Sequence, residues 1–272
     1  MVMVVRNPEI ASDITSAATT KIVLVVEYDG TGYYGFQWQA DLPTVQGAIE
    51  AALKKLTGEK VRILAASRTD TGVHACGQVV SFRTTSLHSL QTFVSGLNYY
   101  LPRDIAVKAA HKVGDSFNVR RCATSREYTY SILNTSTRSP LRASSAYRVG
   151  GRLDIETMNQ ACQTLIGEHD LASFASDFGR EIKSTVRRVY WAGFSRKEEM
   201  VAFNITASSF LPHQVRNTVG ALIRVGQGKI RVDEFARIID AKKIGLAGPT
   251  APACGLCLIQ VNYPQPFGEE EK

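Results

Sequence analysis

Hydrophobic positions along the chain fall into short runs with strand spacing and longer stretches with helical spacing, and the two kinds alternate. Residues 21–28 form a β-branched, apolar run suited to a strand covered on both faces, closed by the turn signal Asp29-Gly30-Thr31-Gly32. Val45, Ala48, Ile49, Ala52, Leu53 and Leu56 then recur at i, i+3, i+4, i+7 spacing, which predicts one amphipathic helix, capped by Thr44 and stopped by Gly58. Residues 61–65 and 78–83 read as strands, 89–99 as a helix halted before Pro102, and 105–113 as a strand. The order predicted for the first half is β-α-β-β-α-β.

The second half repeats that order without evident sequence identity. Residues 126–133 alternate, setting Tyr128, Tyr130 and Ile132 on one face, and Asp154 caps a helix that carries Ile155, Met158, Cys162, Leu165 and Ile166 on one side. Residues 186–194 and 200–207 form a predicted hairpin joined through Arg196-Lys197-Glu198-Glu199. Helices over 212–225 and 233–242 precede a last strand over 256–263. The pattern predicts an α+β protein of two fused ferredoxin-like, RRM-like modules with largely antiparallel sheets and helices on one side. The expected organisation is a flexible extension over 1–20, an N-terminal domain over 21–113, a C-terminal domain over 114–268 and an acidic tail over 269–272.

Charge adds a partner class. The chain of 272 residues carries 32 Lys and Arg against 25 Asp and Glu, a formal charge of +7, which favours a polyanionic partner. Its apolar runs fall far short of the roughly 20 residues that a membrane-spanning helix needs, so no membrane role is expected. The first 20 residues have neither the charge-then-apolar order of a secretory signal nor an Arg-rich, acid-poor bias. Five cysteines, an odd number, do not suggest a disulfide framework and fit a reducing cytoplasm. Cys254-Gly-Leu-Cys257 has the spacing of a zinc or redox pair, but it runs into a predicted strand and lacks two further ligands. Small buried side chains are expected there, and no metal. There is no Walker A loop or dinucleotide fingerprint.

Arg68-Thr69-Asp70-Thr71-Gly72 lies between two predicted strands. Read alone it is a turn in which Asp70 bonds its own backbone and Gly72 supplies a positive φ. It also sets a guanidinium close to a carboxylate that is ionised at neutral pH, the requirement for a nucleophilic Asp. The longer run Ala66-Ser67-Arg68-Thr69-Asp70-Thr71-Gly72-Val73-His74-Ala75 resembles the active-site loop of the TruA family of tRNA pseudouridine synthases. Further segments resemble that family in the same order: Glu27-Tyr28-Asp29-Gly30 with Tyr33-Tyr34-Gly35-Phe36-Gln37, Thr44-Val45-Gln46, Arg126-Glu127-Tyr128-Thr129-Tyr130, Phe210-Leu211-Pro212-His213-Gln214-Val215-Arg216-Asn217 and Gly255-Leu256-Cys257-Leu258. The departures are Phe36 where the family often has Trp, Trp38 for Arg, Val119 for Ala, Gln214 for Met and Cys257 for Tyr.

The resemblance implies that Asp70 is the nucleophile, attacking either uracil C6 or ribose C1′. It implies that Tyr128 stacks on the uracil and takes part in removing the C5 proton, and that Arg216 pairs with Asp70. Leu256 would form an apolar wall, and Arg68 would fill the space left when the uridine flips out of its stem. It further implies a positively charged cleft between the two modules, and a homodimer acting on the uridines at positions 38, 39 and 40 of the tRNA anticodon stem-loop. No cofactor is implied, since an isomerisation has no net redox change. His74 is expected to make a structural hydrogen bond. A non-catalytic RNA-binding module and an Asp-dependent hydrolase are the alternative readings.

Overall fold

The computed structural model describes residues 19–176, 184–265 and 267. Residues 1–18 of the expected extension and the expected tail over 269–272 lie outside the described residues. The first half comprises β1 (Thr20–Tyr28), α1 (Val45–Thr57), β2 (Leu64–Ala65), β3 (His74–Thr84), α2 (Leu90–Tyr100) and β4 (Ile105–Val113). The second comprises β5 (Ser125–Leu133), β6 (Tyr147–Arg148), α3 (Ile155–Gln163), β7 (Gly167–Asp170), β8 (Val186–Lys197), β9 (Met200–Ala207), α4 (Gln214–Gly226), α5 (Val232–Ala241) and β10 (Leu256–Asn262).

Local chemistry accounts for the boundaries. The Thr44 hydroxyl accepts from the Gly47 amide and Gly58 takes φ 77, so α1 starts and stops where its caps predict. Only Leu64 and Ala65 of the expected 61–65 strand pair with β3. The reason is Glu50 on α1, whose carboxylate accepts from the Ile63 amide at 3.1 Å and pairs with Arg62 at 3.0 Å, drawing that segment onto the helix. β7 escapes the apolar pattern because its sequence, Gly-Glu-His-Asp, is that of a polar edge strand held through β8 alone.

The strands form one ten-stranded sheet, ordered β4-β1-β3-β10-β5-β9-β8-β7, with β2 beside β3 and β6 beside β5. Read by half, β4-β1-β3-β2 and β10-β5-β9-β8 follow the same split-βαβ order. Where separate sheets are expected for the modules, a parallel pairing of β10 with β3 joins them, matching Cys257 with His74 and Leu258 with Ala75. Pairing β10 on both sides removes an exposed edge that each module would otherwise present. α1 packs on α2 and α2 on β4; α3 packs on α4, α5 and β8. The core runs through both halves, with Val23, Leu24 and Val26 of β1 and Tyr130 and Ile132 of β5 fully buried. None of the described helices is long and apolar enough to cross a membrane.

Candidate active site

The segment from β2 to β3 is held from behind by close backbone packing and by buried side chains. Gly30 lies so close to it that a Cβ would stand 2.0 Å from the Val73 carbonyl oxygen. Gly35, at φ 85, would put one 2.9 Å from the Thr69 carbonyl, which also accepts from the Phe36 amide at 3.0 Å. The fully buried Gln78 of β3 grips Ser67 twice, accepting from its amide at 3.3 Å and donating to its carbonyl at 2.7 Å. The Tyr28 hydroxyl meets Thr69 Oγ1 at 2.7 Å, and the Val73 amide closes the turn onto the Asp70 carbonyl at 3.1 Å. With Thr69 anchored inward, the next side chain, Asp70, emerges into a cleft.

That cleft has a volume of about 450 Å³ and is lined by Asp70, Tyr128, Leu256 and Arg68 together with Arg120, Arg126 and Arg187. It opens where the two halves of the sheet meet: Tyr128 lies on β5, Leu256 begins β10, and Asp70 precedes β3. Arg216, in the first turn of α4, reaches across so that Nη1 donates to Asp70 Oδ2 at 3.3 Å, while its Nε donates to the Ala251 carbonyl at 2.8 Å. A cation at a helix N-terminus opposes the helix dipole, and the Asp70 carboxylate offsets it. The Tyr128 hydroxyl meets Ser67 Oγ at 2.9 Å, and its ring stands edge-on to Phe210 with centroids 5.1 Å apart. Arg68 is exposed and has no ion-pair partner among the described residues.

Among the described residues, Asp70 is the one carboxylate in a lining that contains four arginines. Such a field attracts phosphate. Arg126 is 6 % exposed and donates to the carbonyls of Ala66, Arg120, Ala123 and Ser208, with no ion-pair partner among the described residues. Burial pushes its guanidinium down from the usual range, and those carbonyls answer the charge. Burial pushes the Tyr128 phenol up to about 12; the Ser67 hydrogen bond pulls the other way and the Asp70 charge adds to the rise. The ring therefore faces the cleft as a neutral phenol at physiological pH.

The tertiary fold thus brings together all five residues named from sequence. His74 stays out of the cleft lining: its Nδ1 accepts from the Gly30 amide at 3.2 Å and its Nε2 lies 2.8 Å from the Ser144 carbonyl. Cys254 and Cys257 are half-buried rather than buried, and Cys257 faces Cys76 with sulfurs 3.5 Å apart. Sequence reasoning left Gln78, Ser67, Arg126 and His213 without roles. A polar residue inside the apolar run of β3 was the available sign for Gln78; for His213 the signs were its place just before a helix and within the same family-like run, 210–217, that holds Arg216.

Comparison with known proteins gives these positions a context. A family model described as tRNA pseudouridine synthase matches residues 24–120 and 161–264. The chain is 46 % identical over 248 residues to tRNA pseudouridine synthase A of Roseiflexus castenholzii, covering 90 % of this chain and 91 % of that protein. It is 43 % identical over 242 residues to the protein of the same name from Acetivibrio thermocellus, covering 89 % and 99 %. For the Chloroflexus aurantiacus protein of that name the identity is 42 % over 247 residues, covering 89 % and 88 %.

Proposed function

The chain belongs to the tRNA pseudouridine synthase family, isomerases that act on tRNA, and from that premise we propose that Asp70 is its nucleophile and the anticodon stem-loop its target. The observation that supports this most is the Asp70–Arg216 ion pair inside a cleft whose other charged walls are arginine. Oδ2 is engaged by Arg216, and Oδ1 is left to attack. A cleft of about 450 Å³ suits one nucleoside, which must leave its stem to reach Asp70.

The reaction balances without a cofactor. Asp70 Oδ1 forms a bond to C1′ or C6, the N1–C1′ bond breaks, the uracil turns, and C5 bonds C1′. The C5 proton leaves, N1 gains one, and the bond to Asp70 breaks to restore the carboxylate. Tyr128 supplies a flat face for the uracil and a hydroxyl, linked to Ser67, near the C5 proton. Leu256 excludes water from one side, and Arg68 is free to enter the stem in place of the flipped base. The uridines at tRNA positions 38, 39 and 40 are the proposed substrates, with a homodimer gripping one tRNA across both subunits in the cytoplasm.

Replacing Asp70 by Ala tests the assignment. Pseudouridine formation in a tRNA transcript should fall below detection while tRNA affinity, read by filter binding, stays within a few-fold of wild type. Residual turnover near the wild-type rate would remove Asp70 from the mechanism. Mapping pseudouridines in tRNA from cells with and without the protein identifies the positions; loss confined to sites outside the anticodon stem-loop would overturn that part.

A further inference from the structure

His213 stands just before α4 with φ 59 and ψ 2, in the left-handed region that residues with side chains seldom occupy. From there its ring lines the cleft, 40 % exposed, with Nε2 at 3.6 Å from Asp70 Oδ2. That is the same oxygen that Arg216 holds at 3.3 Å. On its other side, Nδ1 lies 2.6 Å from the hydroxyl of Ser176. One carboxylate oxygen thus faces two nitrogen groups from the start of one helix, and the second of these is oriented by a serine from a separate segment.

The pairing restricts the position of the imidazole proton. A ring protonated on Nδ1 alone would turn the Nε2 lone pair toward a carboxylate, which repels it. Two forms remain: Nε2–H with Ser176 donating to Nδ1, or a doubly protonated ring donating to Ser176. Both direct an N–H at Asp70. A separation of 3.6 Å is long for a hydrogen bond, and contacts of this kind shorten when substrate closes the site.

We propose that His213, oriented by Ser176, is a positioning residue for the nucleophile: with Arg216 it fixes Asp70 Oδ2, making Oδ1 the attacking oxygen. This rests on the isomerase reading given above and adds to it a group outside the Asp, Tyr and Arg set. His213 keeps its proton throughout. The electron pair that Oδ1 gives to the substrate carbon returns to the carboxylate when that bond breaks, and the His213 N–H stabilises the returning charge. Its effect therefore falls on chemistry and not on tRNA binding.

Three substitutions and one spectrum test this. Asn tolerates the left-handed backbone but is too short to reach Oδ2, so H213N should bind tRNA as wild type does. Its single-turnover pseudouridine formation should be about ten- to a hundredfold slower, below the loss typical of a fully enclosed donor. H213Q, whose amide reaches further, should recover most of the rate, and S176A should fall between. Should H213N unfold, H213G, at ease at that φ, takes its place. In the free protein, nitrogen-15 NMR should find Nε2 protonated. An Nε2 without its proton in wild type, or H213N as fast as wild type on a tRNA that wild type modifies, overturns the role of His213 alone. A wild type that forms no pseudouridine in any tRNA overturns the isomerase reading and this role with it.

Discussion

Tyr128 illustrates how neighbours decide what a single side chain can do. Its phenol, pushed up to about 12, is a poor base at neutral pH, so the proposed part of its hydroxyl in proton transfer would run through Ser67 Oγ, 2.9 Å away. Tyr128→Phe keeps the ring and its edge-on contact with Phe210. The variant should fold and bind tRNA normally yet form pseudouridine about a hundredfold more slowly in a single-turnover assay. A rate within a few-fold of wild type would take the hydroxyl out of the proton path. At this scale the sequence was most informative where residue types sit in long motifs, as with Asp70 and Arg216. It was least informative for His213, which shares a motif with Arg216, because membership of that motif says nothing of a carboxylate 143 residues away in the chain, nor of the serine that turns the ring.

Among the elements, the loop between β2 and β3 depends on its backing more than on its own turn. Gly30 and Gly35 let the segment after β1 press against Val73 and Thr69, and Gln78 holds Ser67 by both backbone groups. Gly30→Ala sets a methyl against the Val73 carbonyl and should cost about 1 to 3 kcal/mol of stability. Because the strain falls directly behind Asp70, activity measured well below the melting temperature should drop more than fractional folding does. Urea unfolding with parallel activity assays separates the two, and equal losses would show that the loop absorbs the methyl without moving Asp70. Helices with sound caps were legible from sequence. β2 and β7 were not, since one is shortened by a carboxylate on the helix that precedes it and the other pairs through its backbone with little apolar patterning.

For the molecule as a whole, a single sheet carries its core and its site together, and several phenols are buried in and around it, Tyr128 in the cleft lining. Burial raises Tyr28, Tyr33, Tyr128, Tyr130 and Tyr263 above the ordinary tyrosine value. An unfolded chain, with tyrosines near 10, then loses protons before the folded one does. Below about pH 10 these groups leave stability unchanged; above it, stability should fall steadily as pH rises toward and through their folded values. Tyr128 alone accounts for about 3 kcal/mol of that fall once pH passes 12. Urea midpoints measured from pH 8 to pH 11.5 should drop with an unchanged slope, and a flat profile would mean that the phenols ionise freely in the folded state. By itself the sequence determined the α+β class, the repeated β-α-β-β-α-β order and the identity of the motif residues, because periodicity, caps and turn chemistry act over a few neighbours. Only the tertiary structure decided that β10 pairs in parallel with β3 and fuses the halves into one sheet. That pairing sets Asp70 and Tyr128 on one cleft, and α4 then brings Arg216 and His213 onto the same carboxylate oxygen. Contacts closed over 146 residues, as between Arg216 and Asp70, depend on which strand edges find each other, and local patterning carries no record of that choice.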